Sequence, residues 1–372
     1  MHVAYNLMHL VPGETGGAEV YARRLLPALR KADADLEMTL FLGGSAASED
    51  WGEGVHVAAL RFDPRSRARR VLAEQTLLPR AVSQAKLDLL HNLFNTAPAR
   101  LSVPQVTTIH DVVFKRFPET HGVLAKGVEI LVPLAARRSA RVITDSEASK
   151  SDLVRFLHLS AQKIDVALLG PGIPEDANGP PPAETRRRFE IGDSPFVLSV
   201  LAKRPHKNAA RLIEAFARVP DAVLVIPGYS TAYETELQSR IEDAGIGDRV
   251  RLLGWVDDAA LDGLYRAADC FVFPSLAEGF GLPVLEAMLR GTPVACSNAT
   301  SLPEVAGDAA LLFDPLDVDA IAVSIRRILE DAELAERLRE AGRKRALRFS
   351  WEDTARQTLA SYGKVFGQTP GA

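Results

Sequence analysis

Residues 270–296 read CFVFPSLAEGFGLPVLEAMLRGTPVAC. Cys270–Phe273 is a short apolar run that Pro274 ends, the signature of a buried strand. A glycine loop follows, Glu278-Gly279-Phe280-Gly281-Leu282, and Pro283 stands where a first helical position is expected, because its missing N–H costs nothing there. The helix runs over 283–290, and the next apolar run, 293–296, is a second strand. Strand, glycine loop, helix and strand make a parallel α/β unit. Free amides and the positive end of the helix converge near Gly279–Leu282, which suits a phosphate. Glu278 lies in the loop and Glu286 in the first part of the helix, eight residues on. A carboxylate at Glu286 suits a ribose diol, although a helix-dipole partner beside a tight turn would look the same.

The alternation extends in both directions. Toward the N-terminus the strands are expected at 2–5, 38–42, 55–58, 87–91, 105–109, 141–144 and 164–168, with helices at 18–30 and 123–138. Residues 170–183, GPGIPEDANGPPPA, have linker chemistry. Strands then resume at 196–201, 222–226, 250–253, 270–273, 293–296 and 310–313, with helices at 208–218, 232–244, 259–268 and 283–290. Three helices close the chain at 317–330, 331–348 and 351–366, the last with Ser350 as N-cap and Asp353 three residues on. The expected domains are 1–175 and 176–350.

Composition narrows the function. The 372 residues are 47% hydrophobic and 25% charged, enough for two cores. A net charge of −4 excludes a polyelectrolyte that binds nucleic acid over its whole surface. Cys270 and Cys296, the two cysteines, have no metal spacing and form no disulfide framework. Together with an N-terminus that lacks a signal-peptide pattern and no apolar run of membrane-spanning length, they suggest a cytoplasmic protein. No nucleophile elbow or Ser-His-Asp pattern is visible.

Other candidates sit where loops meet strands. Gly16-Gly17 follows the first strand, and a double glycine lets a backbone approach a pyrophosphate. Lys207, in KRPHKN (202–208 begin AKRPHKN), is expected near a strand end, where it would stabilise a leaving diphosphate, with Arg204 beside it. Lys203 and His206 are expected as solvated neighbours, Glu19 as a dipole partner, and Asp145-Ser146-Glu147 as a helix cap. His110-Asp111 ends the strand QVTTI, at the ligand end of a parallel sheet, with Asp111 as a local cap. Asp257-Asp258 and Asp317-Val318-Asp319 fall at loops or helix starts and supply no metal-binding pair. Arginines in 61–70 and 134–141 read first as a solvated face.

The phrase E278-GFGLPVL-E286-AMLRGTPV resembles the E-x7-E signature of retaining glycosyltransferases of family 4. RVRLLGWV (249–256), LYRAADCFVFPS (264–275), SLPEVAGDAALLFDP (301–315), Lys207-Asn208 and the early GGAE (16–19) fall in that family's order. The resemblance covers nearly the whole chain and implies the GT-B fold, two Rossmann-like parallel-sheet domains facing a cleft. It implies an acceptor domain at the N-terminus, rejoined by a crossing helix over 351–368, and a nucleotide-sugar domain at the C-terminus. It further implies retaining transfer of a hexose to a hydroxyl by front-face attack without a metal or other cofactor. Lys207 and Arg204 would hold the donor phosphates, His110 would lie beside the donor sugar, and Glu278 would orient sugar hydroxyls. Gly16, Gly17, Gly279, Phe280, Gly281 and Leu282 would offer backbone, Glu286 would take the ribose, and the base would meet backbone near Gly254. The style of the motifs favours GDP-mannose, with UDP-sugars next, and a glycan or lipid-linked acceptor. The arginine-rich segments would then allow peripheral contact of the first domain with a membrane surface. A nucleotide-sugar epimerase or phosphorylase on the same plan, or a non-catalytic sugar-nucleotide binder, are the alternatives.

Overall fold

The computed structural model describes residues 1–117, 125–174 and 177–367. The expected helix start at 123–124, the expected domain boundary at 175–176 and the last residue of the expected crossing helix, 368, lie outside the described residues. The chain divides into two compact units, the first comprising Met1–Gly172 and Ser350–Ala372 and the second Ile173–Phe349.

Unit 1 is built on β1 (His2–Asn6), α1 (Gly17–Ala32), β2 (Glu37–Gly43), β3 (Val55–Leu60), α2 (Arg67–Gln84), β4 (Leu89–Asn92), β5 (Gln105–Thr108), α3 (Val113–Arg116), α4 (Ala125–Arg138), β6 (Arg141–Thr144), α5 (Glu147–Leu157) and β7 (Ile164–Val166). Its seven strands lie in the order β3-β2-β1-β4-β5-β6-β7, all parallel. The central strands β4 and β5 are buried on both faces, so their side chains read as runs rather than alternations. Apolar clusters lie under α2 (Ala73, Leu78, Val82 with Ala4 and Leu90) and between α4 and α5 (Val132, Ala136, Leu153 with Val142 and Ile164).

Unit 2 runs α6 (Pro182–Arg188), β8 (Phe196–Leu198), α7 (Ala209–Phe216), β9 (Val223–Ile226), α8 (Glu234–Asp243), β10 (Val250–Leu252), α9 (Asp258–Ala267), β11 (Cys270–Phe273), α10 (Leu282–Leu289), β12 (Val294–Ser297), α11 (Leu302–Ala306), β13 (Leu311–Phe313), α12 (Val318–Glu330) and α13 (Ala332–Ala346). Its sheet is parallel in the order β10-β9-β8-β11-β12-β13. The final helix, α14 (Trp351–Val365), belongs to unit 1. Ser350 caps it by accepting the Asp353 amide at 3.1 Å. Thr354 donates to the Leu168 carbonyl at 2.6 Å, and Ser361 and Lys364 both bond Asp165 at 2.7 Å. The Tyr362 hydroxyl meets His91 Nδ1 at 2.7 Å inside the core.

Each sheet reverses its order of growth once, between β1 and β4 in unit 1 and between β8 and β11 in unit 2. At such a point the loops leaving the two strands run to opposite faces and leave a crevice at the carboxyl ends, where ligands sit in open parallel sheets. Among the described residues no helix is long and apolar enough to cross a membrane.

Candidate active site

In unit 2 the β8 and β11 loops are stitched together. Asn208, at φ +62°, sends its amide nitrogen to the Pro274 carbonyl at 3.0 Å and the Pro315 carbonyl at 2.7 Å. The Leu276 amide donates to the His206 carbonyl at 2.9 Å. This brings Lys207 and Glu278, 71 residues apart in sequence, into a two-pronged ion pair, with Nζ 2.7 and 2.8 Å from the two carboxylate oxygens. The pair stays in contact with solvent, Lys207 at 20% and Glu278 at 11% exposure. An ammonium has three donors, so one is left for a ligand.

The glycine loop behind this pair is held by the hydroxyls of Thr300 and Ser301. Thr300 accepts the Glu278 amide at 2.9 Å, and the single proton of the Ser301 hydroxyl is shared between the Phe280 carbonyl at 2.7 Å and the Glu278 carbonyl at 3.0 Å. Gly281 caps α10 at φ +119°, and a Cβ there would come within 2.7 Å of Leu302. Only glycine fits that backbone. The Gly281 carbonyl takes the Val284 and Leu285 amides, Pro283 has none, and the Gly281 and Leu282 amides have no partner among the described residues. The helix start therefore presents bare donors beside a lysine, an arrangement that stabilises developing negative charge. Phe280 turns its ring into the core against Phe349, at a centroid distance of 5.8 Å, so only its backbone faces the loop. A Cβ on Gly254 would meet nothing within 4 Å, and its carbonyl accepts the Gly228 amide at 3.1 Å.

Glu286 is buried. Its oxygens accept the Tyr265 hydroxyl at 2.9 Å and the Ile173 amide at 3.3 Å. Burial pushes its carboxyl up to about 7, against the pull of the Tyr265 hydroxyl and the Arg290 charge. Arg290 in turn bonds Asp262 at 2.8 Å and the Pro174 carbonyl at 2.9 Å. Tyr265, Asp262 and Arg290 escaped sequence reasoning. Their only signal was the spacing of Asp262 and Tyr265, three apart and so on one face of α9.

Several expectations are corrected. Lys203 is not solvated: it is wholly buried, and its ammonium donates to the Gly228 carbonyl at 2.6 Å and to the Leu253 carbonyl. The side chain ties together the turns that follow β8, β9 and β10, and burial lowers its pKa. His206 is buried as well. Lys207 is not at a strand end, because β8 stops at Leu198 and Lys207 closes a 3₁₀ turn over Pro205–Lys207. Arg204 is exposed and makes no side-chain hydrogen bond or ion pair among the described residues. Pro283 is the second residue of α10.

In unit 1, His110 follows β5 and is held on both sides, Nδ1 at 2.8 Å from Asp145 and Nε2 at 3.1 Å from the Leu93 carbonyl. Burial works to lower its pKa, but the Asp145 charge and hydrogen bond prevail and raise it. Asp145 is therefore an ion-pair partner, and only Ser146 caps α5, accepting the Ser149 amide at 3.0 Å. Asp111 accepts the Val113 amide at 3.0 Å as a local cap. Gly16 opens α1 at φ +66° and ψ −138°, which L side chains rarely adopt. A Cβ on Gly17 would meet nothing within 4 Å, so the backbone there is open to approach. Glu19 bonds Arg23 one turn on at 2.8 Å and the Gly13 amide at 2.9 Å.

Residues 183–345 match the family model for glycosyl transferases group 1, and residues 15–170 match that for glycosyltransferase family 4. The O-antigen chain mannosyltransferase B of Escherichia coli is 35% identical over 366 residues, covering 92% of this chain and 94% of that protein. Among solved structures, sucrose-phosphate synthase from Thermosynechococcus elongatus superposes with a TM-score of 0.81 at 24% identity over 99% of both chains. The Anabaena protein HepE, solved with UDP and glucose, gives 0.79 at 22% identity over 98% of this chain and 100% of that one.

Proposed function

The chain belongs to the GT-B glycosyltransferases, and we propose that it moves a mannosyl group from GDP-mannose to a hydroxyl with retention of anomeric configuration. The observation that carries the proposal is the Lys207–Glu278 pair at the β8/β11 switch point, beside the bare amides of Gly281 and Leu282. In this reading the third Lys207 donor and those amides take the diphosphate as its charge grows, and Glu278 accepts hydroxyls of the sugar. The departing phosphate oxygen receives the proton of the incoming hydroxyl, and the new glycosidic bond forms on the face the phosphate leaves. Glu286 has lone pairs beyond the two in use and is proposed to hold the ribose diol, with Gly254 backbone near the base. Arg204, exposed near Lys207, is a second cation for the diphosphate. His110, whose pKa Asp145 raises, is proposed beside the donor sugar.

Mannose is favoured because the relative matched over 92% of this chain is a mannosyltransferase by name. The acceptor is proposed to be a glycan or lipid-linked saccharide held by unit 1. Peripheral attachment has a candidate face on α2, where Arg69, Leu72, Thr76 and Arg80 are all exposed at helical spacing, with Leu72 at 64%. The test is incubation with a panel of labelled nucleotide sugars and mannoside acceptors, with early-time NMR of the product's anomeric proton. Release of GDP with an α-linked product supports the reading. Turnover confined to another donor, or a β-linked product, overturns the donor or the stereochemistry respectively.

A further inference from the structure

We infer that unit 1 carries a hydroxyl-binding site at its own switch point, in which His9, oriented by Thr96 and Glu74, receives a hydroxyl of the acceptor sugar through Nδ1. The inference deepens the glycosyltransferase reading and rests on it for the identity of the ligand as an acceptor.

The site is built from the carboxyl ends of β1 and β4. Asn6, the last residue of β1, donates to Asn92, the last of β4, and to Glu74 Oε1 on α2, both at 2.9 Å. The Thr96 hydroxyl donates to the same Glu74 oxygen at 2.9 Å. Thr96 Oγ1 also lies 3.0 Å from His9 Nε2. A hydroxyl has one proton, and here it goes to the carboxylate. His9 Nε2 must then be the donor to Thr96, which leaves Nδ1 with the lone pair in the neutral ring. Nδ1 has no partner among the described residues, and the ring is 15% exposed. It stacks on Phe94 at 6.1 Å and 15°, so an apolar surface adjoins the free nitrogen.

Two further atoms are unsatisfied. Glu74 is wholly buried, and among the described residues its Oε2 has no hydrogen-bond partner and Arg70 Nε, one turn earlier on α2, is likewise a buried atom without one. Burial acts to raise the Glu74 pKa, but the neighbouring His9 and the hydrogen bonds from Asn6 and Thr96 bring it below the ordinary range. A buried carboxylate with a bare oxygen is costly to the fold alone. A fixed anion here disfavours phosphate, and among the described residues no group of three metal-ligating side chains is present. The one free ring nitrogen at the surface and the adjoining ring of Phe94 match a hydroxyl of a neutral polyol. The loop carrying Phe94 and Thr96 also holds His110, through the Leu93 carbonyl at 3.1 Å and Asn95 Oδ1, which accepts the His110 amide at 2.8 Å. An acceptor bound at His9 would thus share a four-residue loop with the histidine proposed beside the donor sugar.

The probe is octyl α-D-mannopyranoside. Calorimetry should show at least a tenfold weaker affinity for His9→Phe, which keeps the stack on Phe94, and a smaller loss for Thr96→Val. GDP affinity should change less than twofold in both. In the wild-type chain with labelled histidine, the probe should shift the His9 Nδ1 resonance, a readout that needs no variant to fold and that a merely structural histidine would not give. Equal probe affinity in His9→Phe, an unmoved Nδ1 resonance, or no binding of octyl hexosides to the wild-type chain overturns the inference. If neither GDP nor any other nucleoside diphosphate binds, the donor reading fails instead, whatever the probe does.

Discussion

The two switch points occupy the same place in two parallel sheets and are furnished differently. At β8/β11 the side chains are a solvent-touching cation and anion beside bare helix amides. At β1/β4 they are Asn6, Asn92, Thr96 and one sealed carboxylate under a part-exposed histidine. The first is suited to a dianionic group whose charge grows as a bond breaks. The second is suited to an uncharged ligand that both donates and accepts. One architecture thus gives two chemistries through residues at the strand ends, in the loops that follow and on two helices, and the difference predicts which substitutions affect which substrate.

Lys207→Ala should break the unit 2 side of the comparison most severely. Loss of a group that stabilises developing charge typically lowers turnover by ~10²–10³-fold, with little change in melting temperature because the side chain is not in the core. A fall of less than about tenfold in steady-state rate would move the diphosphate toward Arg204. Glu286→Ala comes next. Loss of a bond to the ribose diol should weaken GDP binding by about 1.5–3 kcal/mol. Because the carboxylate also satisfies Tyr265 and the Ile173 amide, the variant should lose stability too, so calorimetric titration must be paired with thermal melting. With a folded pKa raised to about 7, above the unfolded value, Glu286 adds stability at pH below ~4.5 that is lost as pH rises through 7. Glu286→Gln should therefore gain on the wild type between pH 5 and 8, and parallel stability curves would refute the burial effect.

A smaller effect sharpens the unit 1 side. Asp145→Asn should bring the His110 pKa down from its raised value, since the charge that raises it is gone. The pair contributes stability below the unfolded value near ~6.5, lost as pH rises through the folded pKa. The variant's deficit should accordingly shrink on going to alkaline pH. Histidine NMR titration measures the shift, and an unchanged His110 pKa would mean that Asp145 does not govern it. The smallest expected effect is that of a chelator. In the proposed reading Lys207, Arg204 and the helix amides would balance the charge of the leaving group, and Glu278 is already paired with Lys207, so transfer should continue in excess EDTA. Activity that stops and returns with magnesium or manganese would make Glu278 a metal ligand.

What was legible in the sequence was local. Cys270–Phe273, the glycine loop and Pro283 lie within one stretch and specify strand, turn and helix by composition alone. Glu278 was legible because Gly279 beside it breaks an element, and Lys207 because it follows an apolar run and opens the pair Lys207-Asn208. Contacts across long separations were not. Asp145 reaches His110 across 35 residues, and Glu74 reaches Asn6 across 68. Nothing in a helical stretch that begins RARRVLAEQ marks its glutamate as buried. Lys203 misled for the opposite reason: a basic run reads as solvated, and only the fold shows that two carbonyls wait for that ammonium in the interior.

The most direct test of the central claim is amide hydrogen exchange on the wild-type chain with and without GDP. Slowed exchange is expected in peptides covering 203–208 and 276–289, with the strongest effect at the start of α10. Slowing that spares 276–289 and appears elsewhere would place the nucleotide away from the β8/β11 switch point and contradict the account.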